Sequence, residues 1–174
     1  MSQWYKLRVK ETKQETPLAK SIELEVPEEA NGVFDFEAGQ FLNVRIEMEN
    51  GVEERSYSLS SPALNDGLRI TVKKVDGGRV SPKIVESVQP GDTLEVKPPE
   101  GRFTMEAKED ERRFHYFVAA GSGVTPIFGL IKYLLEAEPK SQIHLLYGNR
   151  DEHDVIFKNE LESLKKGEYE YEEK

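Results

Sequence analysis

Arg55-Ser56-Tyr57-Ser58-Leu59-Ser60-Ser61 gathers a guanidinium, a planar phenol and four serine hydroxyls on one short stretch. A flat, charged ligand uses all three kinds of group: a cation for its anionic end, an aromatic face to stack on, and hydroxyls to orient its polar edges. On a strand, Arg55, Tyr57 and Leu59 would face one way and Ser56, Ser58 and Ser60 the other. The same residues suit an ordinary edge strand that runs into a turn at Ser61-Pro62, so the stretch alone leaves both readings open.

Three further stretches carry chemistry. In Gly77-Gly78-Arg79-Val80-Ser81-Pro82, paired glycines precede a predicted helix start, with Ser81 as N-cap and Pro82 as the first helical residue. Free amides at such a terminus carry partial positive charge and accept a phosphate, and Arg79 and Lys83 add full charges. A plain loop-to-helix turn is the alternative. Gly121-Ser122-Gly123-Val124-Thr125-Pro126 lies between an apolar run and a predicted helix, the usual place for a phosphate-binding turn. It departs from the dinucleotide pattern G-x-G-x-x-G, with Pro126 at the third glycine, and a turn used for packing alone is the competing reading. Gly148-Asn149-Arg150 leaves a second predicted strand. Ligands of open parallel sheets lie beyond the carboxyl ends of the strands, where both of these loops fall. His115, His144 and His153 have no metal-ligand spacing and read as core, strand-face and surface residues.

The elements that must position these groups follow two grammars. Tyr5 to Lys10, Ile22 to Val26, Leu42 to Ile46, Arg55 to Ser61, Leu68 to Val72 and Leu94 to Val96 alternate apolar and polar residues, with Asn50-Gly51 as a hairpin dipeptide before the fourth. Six such strands predict an antiparallel barrel or sandwich. The polar stretch Glu106 to Arg113 marks a boundary, giving domains 1–106 and 107–174. Beyond it, Phe114 to Ala119 is a continuous apolar run of the kind a doubly covered parallel strand shows. Ile127, Leu130, Ile131, Leu134 and Leu135 fit a helical period, Ile143 to Tyr147 reads as a second parallel strand, and Val155 to Lys166 as a second helix. Tyr169 to Tyr171 would start a third strand or fray, and Trp4 packs.

The formal net charge of −9 argues against a nucleic-acid or anionic-membrane binder. With no cysteine, the chain holds no disulfide, thiolate zinc site or iron–sulfur cluster of its own. A membrane-spanning run and a signal-peptide pattern are both lacking, so the expected location is cytoplasmic.

Taken together, Arg-x-Tyr-Ser-Leu-x-Ser at 55 to 61, Gly-Gly-Arg-Val-Ser at 77 to 81, Gly-Ser-Gly-Val-Thr-Pro at 121 to 126 and Tyr-Gly-Asn-Arg at 147 to 150 resemble the ferredoxin–NADP reductase superfamily over essentially the whole chain. The resemblance is closest to reductase components of multicomponent oxygenases, including the phenylacetyl-CoA epoxidase reductase type. It implies a β + α/β fold, with a six-stranded antiparallel Greek-key FAD-binding barrel followed by a partial parallel α/β nucleotide-binding domain. It also implies FAD held by Arg55 at the pyrophosphate, with Ser56 beside it, Tyr57 against the isoalloxazine and Ser58 near flavin N5. Thr71, Lys73 and Val75 would face the cofactor. Gly78, Arg79, Val80 and Ser81 would cap its pyrophosphate, and Thr125 would approach from the second domain. Tyr57, Ser58 and Thr125 are thereby the catalytic set.

NADH or NADPH would be received by Gly121, Ser122, Gly123, Val124 and Pro126 together with Gly148, Asn149 and Arg150. Electrons would pass through FAD, or FMN as in some relatives, to an iron–sulfur or other one-electron acceptor, with no metal held by this chain. Relatives continue through further strands, carry a Cys-Gly-Pro-like motif and, in the closest group, append a [2Fe–2S] domain. The expectation is therefore a C-terminally truncated chain with an exposed sheet edge, its acceptor on a missing domain or a separate protein. A flavin-binding or partner-docking module without nucleotide-dependent turnover is the alternative, and a cofactor-free β-barrel adaptor a third.

Overall fold

The computed structural model describes residues 3–30, 32–63 and 66–164. Six strands, β1 (Tyr5–Thr16), β2 (Ala19–Glu25), β3 (Phe41–Met48), β4 (Gly51–Ser58), β5 (Leu68–Lys73) and β6 (Thr93–Val96), form one antiparallel sheet in the order β4-β3-β6-β1-β2-β5. The two ends of that order meet. Leu59, just past β4, bridges Ile70 of β5, and the Ser60 N–H donates to the Arg69 carbonyl at 2.8 Å. The sheet is thus a barrel and not a sandwich, and closure removes the unpaired edges that an open sheet would carry. The alternating apolar residues fill it: Leu7, Val9, Ile22, Leu24, Leu42, Val44, Ile46, Leu68, Ile70, Val72, Leu94 and Val96 are all buried in one cluster. Helix α1 (Val80–Ser87) adds Val80, Ile84 and Val85 to that cluster.

The second part is a parallel pair, β7 (Phe114–Ala120) and β8 (Gln142–Gly148), joined by helix α2 (Val124–Ala137) and followed by α3 (Lys158–Leu164). Ile127, Phe128, Leu130, Ile131 and Leu134 of α2 pack over Phe117 and Ala119 of β7.

Several local readings shift. β1 runs six residues beyond Lys10, because pairing with β2 carries its polar second half through register irregularities. Met48 pairs with Gly51, so the hairpin tip is Glu49-Asn50, and Gly51, with φ of +123°, opens β4. α1 starts at Val80, and Ser81 is not its cap. The Ser81 hydroxyl accepts the Val75 N–H at 3.0 Å and closes the preceding turn. Lys83 donates to the Glu47 carbonyl. Leu135 sits on the more exposed side of α2. The segment after β8 makes a 3-10 turn at Glu152–Asp154, and α3 begins only at Lys158, after Phe157 takes a left-handed φ of 62°. The expected strand at 169–171 lies outside the described residues.

Among the described residues, β7 is covered on one face only. His115, Phe117 and Ala119 turn towards α2, while Phe114, Tyr116 and Val118 are 53%, 73% and 72% exposed, and Leu146 of β8 is 70% exposed beside them. His144 stacks on Tyr116 on that open face, with ring centroids 4.8 Å apart.

The two parts interlock. A Cβ on Gly129 of α2 would stand 3.0 Å from the Ser61 carbonyl oxygen, so glycine lets the helix lie directly on the chain leaving β4 where a larger residue would crowd that backbone by a few tenths of an ångström. Lys73 of β5 pairs with Asp154 at 3.3 Å, both side chains largely shielded, and Lys13 pairs with Glu160 of α3.

Candidate flavin and nucleotide site

Two physical features bring the chemically capable residues together: the end of β4 crosses over to β5, and α2 points its N-terminal turn at that crossing. The result is a cavity of about 390 Å³ lined by Arg55, Ser56, Tyr57, Ser58, Thr71, Lys73, Val75, Gly78, Arg79, Val80, Ser81, Ser122 and Thr125. Its size falls within the roughly 300–1,000 Å³ of small-molecule sites. Every residue named above for a flavin is on this wall.

Three cations, Arg55, Lys73 and Arg79, line this wall. Arg55 and Arg79 stand at one end; the Arg55 guanidinium donates to the Glu54 carbonyl at 2.7 Å and to the Glu53 carboxylate at 2.5 Å. Arg79 pairs with the other oxygen of the same carboxylate. Tyr57 lies half-buried against the barrel core, and burial pushes its phenol above the ordinary value, with Arg55 opposing in part. The phenol stays neutral at physiological pH and offers its ring as a stacking surface. Thr71 is buried but satisfied: its hydroxyl lies 2.8 Å from that of Ser21 and 3.0 Å from that of Ser60.

From the second part, the Thr125 hydroxyl donates to the Ser122 carbonyl at 2.8 Å, fixing the turn that reaches the cavity. Gly121–Gly123 forms a 3-10 turn, with Gly121 at φ of +51°. Val124 is fully buried, and its backbone N–H is bonded within the turn, so its side chain belongs to the α2 core and not to the loop surface. Ser122 and Gly123 are exposed, and Gly121 and Pro126 are partly so. Across from them, the Tyr147 hydroxyl donates to the Gly121 carbonyl at 2.9 Å and accepts the Ile156 N–H at 3.3 Å. Burial also raises this phenol. Asn149 Nδ2 and Oδ1 are shielded from solvent and meet no hydrogen-bond partner of good geometry among the described residues, although the amide lies near enough to the Tyr147 hydroxyl to favour its ionised form. An amide so placed has hydrogen-bonding capacity to spare for a polar ligand. Gly148 and Arg150 are exposed at the same strand end.

A model of the oxidoreductase FAD-binding domain matches residues 6–105, more than half of the sequence. The chain belongs to that family. A model of the oxidoreductase NAD-binding domain matches residues 117–172 of this FAD-binding domain protein. A component of the 1,2-phenylacetyl-CoA epoxidase of Escherichia coli is 33% identical over 165 residues, covering 95% of this chain and 46% of the relative. The ferredoxin reductase component of 3-ketosteroid-9-alpha-monooxygenase from Rhodococcus rhodochrous is 39% identical over 160 residues, covering 91% and 44%. The chain therefore spans about half the length of these curated relatives. The FAD/NAD-binding domain of a nitric oxide dioxygenase from Vibrio cholerae superimposes with a TM-score of 0.78 at 28% identity, covering 91% of this chain and 68% of that one. The barrel followed by a parallel α/β unit is thus the ferredoxin reductase-like fold, with FAD and a nicotinamide nucleotide as the ligands of its two families.

Sequence reasoning missed three participants. Glu53 was two residues from Arg55, yet its joint hold on Arg79 needed the fold. Gly129 gave no local motif, and Tyr147, although it opens the Tyr-Gly-Asn-Arg stretch, gave no sign of where its hydroxyl bonds. His115 proved to be the expected core residue: its Nε2 meets buried Glu138 at 2.8 Å, at the strand end opposite the glycine turn. Among the described residues, no cluster of His, Asp or Glu is suited to a metal, and no helix is long and apolar enough to cross a membrane.

Proposed function

We propose that this chain is the flavin-carrying portion of an NAD(P)H-dependent oxidoreductase that passes electrons from NADH or NADPH through FAD to an iron–sulfur or other one-electron acceptor. The observation that carries it is one cavity: Arg55, Tyr57 and Ser58 of the barrel share it with Ser122 and Thr125 of the nucleotide-binding half. FAD supplies the step from two-electron to one-electron chemistry. The chain's residues do the rest. Arg55, with Ser56 beside it, holds the pyrophosphate, and the turn at Gly78 to Ser81 adds backbone amides and the Arg79 charge. Tyr57 offers its neutral ring to the isoalloxazine, and Thr71, Lys73 and Val75 form the wall beside it. Ser58 and Thr125 flank the reacting edge.

Gly121, Ser122, Gly123 and Pro126 with Gly148, Asn149 and Arg150 receive the nucleotide. We assign Val124 a packing role within that turn. The same reading divides the chain at 106/107, between the two family matches, and places its work in the cytoplasm. Its acceptor lies on a further domain or a separate protein; the Rhodococcus relative is itself named a ferredoxin reductase component. The net charge of −9 supports neither nucleic acid nor an anionic membrane as partner.

The test is an absorbance spectrum of the purified chain before and after anaerobic NADH or NADPH. A yellow protein bleached by a nucleotide is the expected result. A protein reduced by dithionite but by neither nucleotide would be a flavin module without turnover, and a colourless protein that takes up no added FAD would overturn flavin binding altogether.

A further inference from the structure

Glu53 is not part of the cavity wall, yet it touches both cations that are. Alternation along β4 puts Glu53 and Arg55 on the same face, and the turn before α1 brings Arg79 to them from 26 residues away. One carboxylate oxygen takes Arg55 Nη2 at 2.5 Å, and the other takes Arg79 Nη2. Glu53 is 19% exposed, whereas Arg55 and Arg79 are 51% and 63% exposed. The shielded group is therefore the carboxylate, and the two guanidiniums fan outwards from it along the cavity rim.

We propose that Glu53 is a positioning residue for the phosphate-binding end of the site: a carboxylate clamp that sets the spacing and orientation of Arg55 and Arg79. This rests on the flavin reading above. Two guanidiniums aimed at one small anion repel each other, and each is a long side chain with many rotamers to lose on binding. A carboxylate behind them offsets the repulsion and orders both before the ligand arrives. Each guanidinium has five donors in a planar fork, so a bond to Glu53 at one edge leaves N–H groups for a phosphate at another. The opposite expectation is simple charge competition, in which Glu53 weakens the site by subtracting one positive charge. At half-exposed arginines water and salt screen that effect, and the ordering of two side chains outweighs it.

The experiment titrates apoprotein with FAD, FMN and riboflavin, following quenching of flavin fluorescence, for the wild type and for Glu53→Ala, Glu53→Asp and Arg55→Ala/Arg79→Ala with and without Glu53→Ala. The clamp predicts that Glu53→Ala weakens FAD and FMN by about tenfold and leaves riboflavin, which has no phosphate, unchanged. Glu53→Asp should recover part of the loss, and Glu53→Ala should add nothing once both arginines are gone. Tighter or unchanged FAD binding by Glu53→Ala overturns the clamp, as does an equal loss for riboflavin, which would report a damaged barrel. If the wild type takes up no flavin, the flavin reading itself falls; if it binds and Glu53→Ala binds equally, only the clamp falls.

Discussion

The Tyr147 hydroxyl joins the two loops that flank the nucleotide end of the site: it donates to the Gly121 carbonyl at 2.9 Å and accepts the Ile156 N–H at 3.3 Å. One side chain at the end of β8 thereby fixes the glycine turn after β7 relative to the segment after β8. Tyr147→Phe keeps the ring and removes both bonds. Leaving the Ile156 N–H unpaired, while the Gly121 carbonyl keeps its bond from the Val124 N–H, should cost about 1–3 kcal/mol in unfolding by urea. Nucleotide affinity should fall while FAD affinity stays level, because the hydroxyl bonds to Gly121 and Ile156, both in the α/β half. Equal losses for both ligands would mean that the loop contact also shapes the flavin cavity.

Arg55→Ala removes the cation that the strand presents at the charged end of the cavity. FAD binding should weaken by about 1.5–3 kcal/mol, the worth of a charge-assisted hydrogen bond. Arg55→Lys should recover only part, since an ammonium cannot reproduce the planar fork that meets Glu53 and Glu54 together. Unchanged affinity in a calorimetric titration would remove Arg55 from the site.

What could be read in advance depended on distance along the chain. The six barrel strands, the glycine turn and the stretch from Arg55 to Ser61 are local patterns, each within about a dozen residues, and period-two alternation directly encodes a face. The bridge from Glu53 to Arg79, the Lys73–Asp154 pair and the fit of Gly129 against Ser61 join residues 26, 81 and 68 positions apart (79 − 53, 154 − 73, 129 − 61) and exist only once the barrel closes. Ser81 shows a local pattern misleading: Ser-Pro is a strong helix-start signal, but a competing turn claimed its hydroxyl for the Val75 N–H. The run Phe114 to Ala119 misled differently. Apolar composition reports what a strand can bury, not whether a second layer is present to bury it.

His115 offers a pH test away from the site. Burial, helped by the Arg113 charge, lowers its pKa below the ordinary 6.5, and its Nε2 meets Glu138 Oε2, which also accepts from Arg113 and Ser141 while Glu138 Oε1 takes the Lys108 N–H. A histidine with a depressed folded pKa binds its proton more readily when unfolded. Its contribution to stability is therefore complete above about pH 6.5 and is lost as pH falls from there towards the folded pKa. Urea midpoints measured between pH 7.5 and pH 5 should decline, and His115→Gln, which keeps a donor for Glu138 but does not titrate, should flatten that decline. A parallel decline in both proteins would place the titrating group elsewhere.

The open face of β7 and β8 predicts a contrast between residues that look alike in sequence. Leu134 of α2 is fully buried and Val118 is 72% exposed, although both are aliphatic and both belong to the α/β half. Leu134→Ala should cost about 2–5 kcal/mol, since it deletes packed methyl groups and leaves a cavity. Val118→Thr keeps the β-branched shape that suits a strand and exchanges one methyl already in water for a hydroxyl, so its cost should stay within about 0.5 kcal/mol. Urea denaturation at low protein concentration measures both. A loss at Val118 that grows with protein concentration would show that this face is covered by a second molecule in solution, because burial by association depends on concentration whereas burial within the chain does not.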